Sequence, residues 1–314
     1  MPTAVLTASD TGRPAGNYVV TEGTAGILDR SYATSSTRGA HIGGDSHMAN
    51  WAPYAAALGT MLGRPVAVDG IGGQQSVDIA ARLGGMPPLV TVAGGFIPTS
   101  GAVAVTIAGG IRPLRSSGSL SRPAILGGVG GALATGDGGV TYTFTRSASG
   151  YAVPIPATGS PLVMGVEHRD ELQIFSAPRN DIGRSTADTL YRATIPEIVA
   201  RYEAMIAWRA PSGRFLMLSM LPWSDETPEG TAARLATDAV LRDLCPQQWL
   251  DWAAWLRTDA AFASVGATKT TQDSAGIAAG FTPPTFLVDA GHLNATGYAA
   301  ANVLVAPSVL ARGW

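Results

Sequence analysis

The chain has 314 residues, 46% of them apolar, 14% charged, and a formal net charge of −2. That length suits one large domain or two smaller ones with a substantial buried core. The near-neutral balance without a basic stripe excludes the electrostatic footprint of a nucleic-acid binder, and the single cysteine, Cys245, excludes an internal disulfide.

Residues 1–37 are rich in Thr, Ser, Gly and Ala with little periodicity, and read as an N-terminal arm or linker. They lack a basic n-region and a long apolar h-region, so no secretory signal is expected. Ala40-His41-Ile42 is a short strand ahead of glycines. Trp51, Tyr54, Leu58 and Met61/Leu62 recur at spacings of three and four, which predicts an amphipathic helix from Met48 to Leu62. Pro65 to Val68 reads as a buried strand running into the glycine-rich turn Asp69-Gly70-Ile71-Gly72-Gly73. Ser76 to Leu83 opens the next helix.

Charges then become scarce, and helix signals disappear over residues 86–162. Ala102 to Ile107 and Val140 to Thr145 are β-like runs. The second alternates, with Val140, Tyr142 and Phe144 on one face. This stretch reads as a small all-β domain inserted into the main fold. Beyond it, Leu172 to Phe175 is a strand, Thr189 to Trp208 a helix, and Phe215 to Leu221 a buried strand stopped by Pro222. Helices follow over Glu229 to Leu244 and from Asn294 to Leu310. Strands alternating with helices predict a parallel sheet with helices on both faces. Cys245 reads as a small buried hydrophobe. The spacing of Trp249, Trp252 and Trp255 predicts core packing, and Asn294 reads as a helix cap. No apolar run reaches the ~18 residues of a membrane helix.

Four groups fall at or near predicted strand ends, where open α/β sheets place their sites. Ser46, in Gly43-Gly44-Asp45-Ser46-His47, sits at a strand-to-helix turn. A nucleophilic serine and a plain helix cap are both compatible with that position. Asp289-Ala290-Gly291-His292 precedes the last helix. A serine hydroxyl needs a base, and the base needs a carboxylate to fix its tautomer. A tight Asp-Gly turn bearing a surface histidine fits those residues equally. His41, His47 and His168 have no acidic partner at such a turn. Asn180, in Arg179-Asn180-Asp181, reads either as an Asx turn or as an amide donor to an oxyanion. Gly72 and Gly73 offer backbone N–H groups unobstructed by a side chain.

The order of these groups resembles the SGNH (GDSL-like) hydrolases, whose blocks read Gly-Asp-Ser, a glycine, Gly-x-Asn-Asp and Asp-x-x-His. Gly44-Asp45-Ser46, Gly73 (with Gly72 as the alternative), Asn180-Asp181, and Asp289 with His292 match in turn, although Pro178 stands where the third block has glycine. The resemblance runs from about residue 38 to 310, outside the insert. It implies a three-layer α/β/α flavodoxin-like fold with a parallel sheet, over 38–85 and 163–314, with 86–162 as the small inserted all-β domain. It implies a Ser46–His292–Asp289 triad and an oxyanion hole built from the N–H groups of Ser46 and Gly73 and the Asn180 side chain. No metal or organic cofactor is implied. The chain has no His-Glu-x-x-His zinc motif, and Gln75 occupies the third glycine position of a dinucleotide fingerprint. There is no Gly-x-Ser-x-Gly elbow either.

Family members that deacetylate polysaccharides, phage tail proteins among them, resemble this plan in carrying a β-rich, carbohydrate-binding insert. The expected activity is therefore removal of acyl, chiefly acetyl, groups from a carbohydrate. A general small-ester carboxylesterase or lipase is the enzymatic alternative. A non-catalytic glycan- or receptor-binding virion protein on a hydrolase scaffold is the other. The expected partners are an acylated carbohydrate or small ester, with no nucleic acid and no membrane span.

Overall fold

The computed structural model describes residues 39–314 and, before them, two three-residue strands, β1 (Ala4–Leu6) and β2 (Tyr18–Val20), paired antiparallel. The arm expected over residues 1–37 otherwise lies outside the described residues. Two compact units follow, one formed by 39–86 with 168–314, the other by 87–167.

The first unit opens with β3 (Ala40–Gly44), the short helix α1 (Ser46–Ala49), α2 (Ala55–Leu62), β4 (Val66–Gly70) and α3 (Ser76–Leu83). One continuous helix was expected over Met48–Leu62. Pro53 instead falls in a 3-10 turn, Ala52–Tyr54, that separates α1 from α2. Proline lacks the N–H that a continuing helix requires. The buried stripe is Trp51, Leu58 and Leu62, while Met61 is exposed.

The second unit carries β5 (Leu89–Val92), β6 (Phe96–Ile97), β7 (Ala102–Ile107), β8 (Leu120–Leu126), β9 (Val129–Thr135), β10 (Tyr142–Arg146), β11 (Val153–Pro154) and β12 (Ser160–Met164). Six of these close into an antiparallel barrel in the order β10-β7-β5-β12-β8-β9, and β6 pairs with β11 separately. Leu126, Leu133, Phe144 and Leu162 are fully buried. Gly127 and Gly128, both at positive φ, form the two-residue turn between β8 and β9, a turn type that requires positive φ at both positions. Val140 was expected on the buried face with Tyr142 and Phe144. It precedes β10 and is 71% exposed.

The first unit resumes with β13 (Leu172–Ser176), α4 (Ile195–Arg209), β14 (Phe215–Leu218), α5 (Pro228–Leu244), β15 (Trp249–Leu250), α6 (Trp252–Trp255), α7 (Asp259–Ser264), α8 (Thr271–Ala278) and α9 (Ala295–Leu310). The expected helix start at Thr189 moves to Ile195 because Thr194 and Glu197 form a reciprocal capping box. The five-stranded sheet is all parallel, in the order β15-β14-β13-β3-β4. Alternate residues of its strands enter different clusters. Ile174, Leu216 and Leu218 pack with α2, α6, α7 and α9. Phe175, Phe215 and Met217 pack with α3, α4 and α5. Trp252 is 1% exposed within the first cluster, with Trp255 packed against it, and Cys245 is buried in the second.

These observations correct the expected fold class. The chain is a mixed α/β protein in which a closed six-stranded antiparallel barrel accompanies the parallel sheet, and such a barrel is not part of a typical SGNH, three-layer flavodoxin-like fold. The physical reason is closure. Short alternating strands joined by glycine turns satisfy every edge only by pairing back onto the first strand.

The sheet strand β14 is shorter than its apolar run, because Met220 N donates instead to Asp238 Oδ1 at 3.1 Å. Burial pushes the Asp238 carboxyl up to about 7, against the opposing pull of Met220 N–H and Arg234. A carboxyl raised in this way keeps its proton in the folded chain after the unfolded chain has released it. Its contribution to stability is complete below the unfolded value of about 3.9 and is lost as pH rises through about 7. Asp238→Asn keeps an acceptor for Met220. Between pH 4 and pH 8 it should gain about 2–4 kcal/mol relative to the parent, measurable by urea unfolding at both pH values.

Candidate active site

Ser46 is half-buried at the first position of α1, immediately after the C-terminal end of β3. Asp45 caps α1 by accepting from His47 N at 3.0 Å. The turn is held from beneath by Arg82, which is 1% exposed. Its guanidinium donates to Gly44 O at 2.9 Å and to Gln74 Oε1 at 2.9 Å, and pairs with Asp69 at 2.7 Å. Gly70 lets β4 approach α1. A Cβ there would be driven into the backbone of Met48 and Ala49.

His292 arrives on the turn between Phe286 and α9. Val288 N donates to His292 O at 2.9 Å. Asn294 caps α9 by accepting from Gly297 N at 3.0 Å, and its amide donates to Thr285 O and Leu287 O. Asp289 Oδ1 accepts from the N–H groups of Gly291 (2.9 Å) and His292 (2.8 Å), while its Oδ2 lies 2.7 Å from His292 Nδ1. A carboxylate only accepts, so Nδ1 carries the proton and Nε2 is the free acceptor. His292 Nε2 is 2.9 Å from Ser46 Oγ. Ser46, His292 and Asp289 thus form one hydrogen-bonded chain. Burial pushes the Asp289 carboxyl up, but the Gly291 and His292 N–H groups and the imidazole outweigh it and hold it down at about 2. The carboxylate is charged throughout the range in which an imidazole changes charge.

Asn180 stands on a 3-10 turn, Arg179–Asp181, just beyond β13. Pro178, at φ −81°, precedes it without a cis bond. The Asn180 amide donates to Gln74 O at 2.9 Å, which leaves its second N–H. Asp181 binds the same two segments together, accepting from Ser76 N (2.6 Å) and Ser76 Oγ (2.9 Å). Burial raises its carboxyl to about 6. Both Gly72 and Gly73 are exposed. A Cβ on Gly72 would lie 3.8 Å from Ser46 Cβ, whereas one on Gly73, which has φ +75°, would meet nothing within 4 Å.

Two residues at this site escaped the sequence reading. His47 was set aside for want of an acidic partner, yet its Nδ1 lies 3.3 Å from Asp45 Oδ1 and its Nε2 3.2 Å from Gly291 O. It bridges the serine turn to the histidine turn. His168 likewise has Glu171 at 3.1 Å. Trp223 packs edge-on against His292 with ring centroids 5.1 Å apart, and a Cβ on Gly291 would strike its indole. His47 was signalled only by its place beside Ser46. Trp223 gave no local signal.

Among the described residues, no group of three His, Cys, Asp or Glu side chains could hold a metal ion, and no helix is long and apolar enough to cross a membrane. In comparisons with known proteins, no family model matches the chain and no curated protein matches it significantly.

Proposed function

We propose that this protein is a serine esterase that removes small acyl groups, acetyl foremost, from a carbohydrate, in the manner of the SGNH hydrolases its motifs resemble. The observation that carries the reading is the continuous Ser46–His292–Asp289 hydrogen-bonded chain. Ser46 Oγ attacks the acyl carbon as His292 Nε2 takes its proton. Asp289 holds the imidazole in the required tautomer and balances the imidazolium. The oxyanion is met by the N–H groups of Ser46 and Gly73 and by the second amide N–H of Asn180. His292 then returns its proton to the departing alcohol and activates the water that releases the acid.

The carbohydrate part of the reading rests on the barrel unit occurring in the sequence between the second and third motif blocks. Within it, Tyr151 is 92% exposed, whereas Tyr142 and Phe144 belong to the barrel core.

Treatment with a fluorophosphonate probe tests the nucleophile. Stoichiometric labelling on the peptide containing Ser46, blocked in His292→Ala, is the expected outcome. An unlabelled Ser46 in folded protein would favour a glycan-binding protein without catalysis. A preference for acetyl over octanoyl esters separates the proposal from a general lipase.

A further inference from the structure

Beside the triad lies a cavity of about 220 Å³. Arg179, Arg184 and Arg192 line it, with Asp188 as the one carboxylate and with Asn180 and Trp223 on the side of the reacting groups. Trp223 also touches His292. The cavity therefore shares Asn180 and Trp223 with the surroundings of the triad.

The three arginines are held differently. Arg179 is 3% exposed, with Nη2 2.5 Å from Glu226 and Nη1 donating to Ile182 O at 2.7 Å. Burial lowers it only to about 10, so it remains a cation at neutral pH. Glu226 is shared with Arg234, which lies 3.0 Å away on its other oxygen. Arg184 pairs with Asp225 at 2.9 Å and with Asp188 at 3.9 Å, and its guanidinium stacks 4.8 Å above the Trp223 ring. Arg192 is exposed. Its Nη1 donates to Asn180 O at 2.8 Å, and no carboxylate among the described residues pairs with it. Three of these four guanidiniums are paired with carboxylates and Asp45 acts on Arg179 as well, which leaves Arg192 as the unpaired cation of the group among the described residues. Arg192, aimed by Asn180 O, keeps donors in the fork geometry that matches a carboxylate.

We infer that this cavity is a subsite for a single carboxylate on the alcohol part of the substrate, so that the preferred ester is an acetylated acidic sugar such as a uronic acid. The inference rests on the esterase reading for the neighbouring ester. An acetyl group carries no charge, so the anion belongs to the sugar. One unpaired guanidinium, Arg192, with Asp188 and Asp225 on the neighbouring Arg184, matches a monoanion and penalises a phosphate dianion. The Trp223 ring offers an apolar wall between the carboxylate and the triad.

Binding and turnover are measured separately. Free oligogalacturonate and a neutral oligogalactan are titrated by calorimetry into Ser46→Ala protein, alone and with Arg184→Gln or Arg192→Gln. Both arginine side chains are exposed, and circular dichroism checks that the variants fold. The acidic oligomer should bind more tightly than the neutral one. Each arginine variant should weaken it about ten- to a hundredfold, and 0.5 M salt should weaken it further. In the active protein, the ratio of kcat/KM on acetylated oligogalacturonate to that on p-nitrophenyl acetate should fall by the same factor, through KM. If the acidic oligomer binds but no ester is cleaved, the esterase reading falls and the subsite stands. If acetate is released with no charge preference and neither variant changes the ratio, the subsite is overturned and the esterase reading stands. Sulfate or phosphate competing as tightly as the oligomer would also overturn it, leaving only a simple anion site.

Discussion

Ser46→Ala is expected to abolish acetate release from p-nitrophenyl acetate and from acetylated polysaccharide, lowering kcat by about 10⁴–10⁶-fold. The fold should survive, because Ser46 is half-buried and, among the described residues, its hydroxyl hydrogen-bonds only to His292 Nε2. His292→Ala should cost about as much, and the double variant little more than either alone, since members of a triad act as a unit. Asn180→Ala is a milder case. It removes one proposed oxyanion donor and should lower kcat by about 10²–10³-fold. Equal acetate release by parent and Ser46→Ala would show that Ser46 is not the nucleophile.

Glu226→Ala is expected to cost about 3–5 kcal/mol of folding stability, the range for breaking a buried ion pair from one side. The Glu226 side chain is fully buried, with Arg179 at 2.5 Å on one oxygen and Arg234 at 3.0 Å on the other. It also accepts from Thr231 Oγ1 at 3.3 Å. Alanine leaves two nearly buried guanidiniums without the carboxylate that bridges them. Glu226→Gln keeps an acceptor but no charge and should fall between the two. Guanidinium unfolding at neutral pH measures the difference, and a loss below about 1 kcal/mol would show that water or a shifted side chain compensates the triad.

The sequence by itself determined the local pieces. The Asp289–His292 contact spans three residues and is made inside one turn, so its chemistry is written in adjacent letters. The capping residues Asn294 and Thr194 were equally local, although only the first was read correctly from the chain. Apolar runs located β13, β14, α3, α5 and α9, because periodicity records which face of an element avoids water. Pro53 divides α1 from α2, although the apolar spacing runs on across it.

Tertiary structure decided everything that depends on which element meets which. His292 reaches Ser46 across 246 positions and His47 reaches Gly291 across 244. Arg179 finds Glu226 across 47. Barrel closure belongs here too. Alternation marks the buried face of β10, but not that it pairs with β7 as well as β9. Hydrogen-bonding edges are alike in every strand, so only the assembled fold selects their partners. Charge behaves in the same way: arginines at 179, 184 and 192 look unremarkable in a chain with net charge −2, and come together only where folding brings them around one cavity.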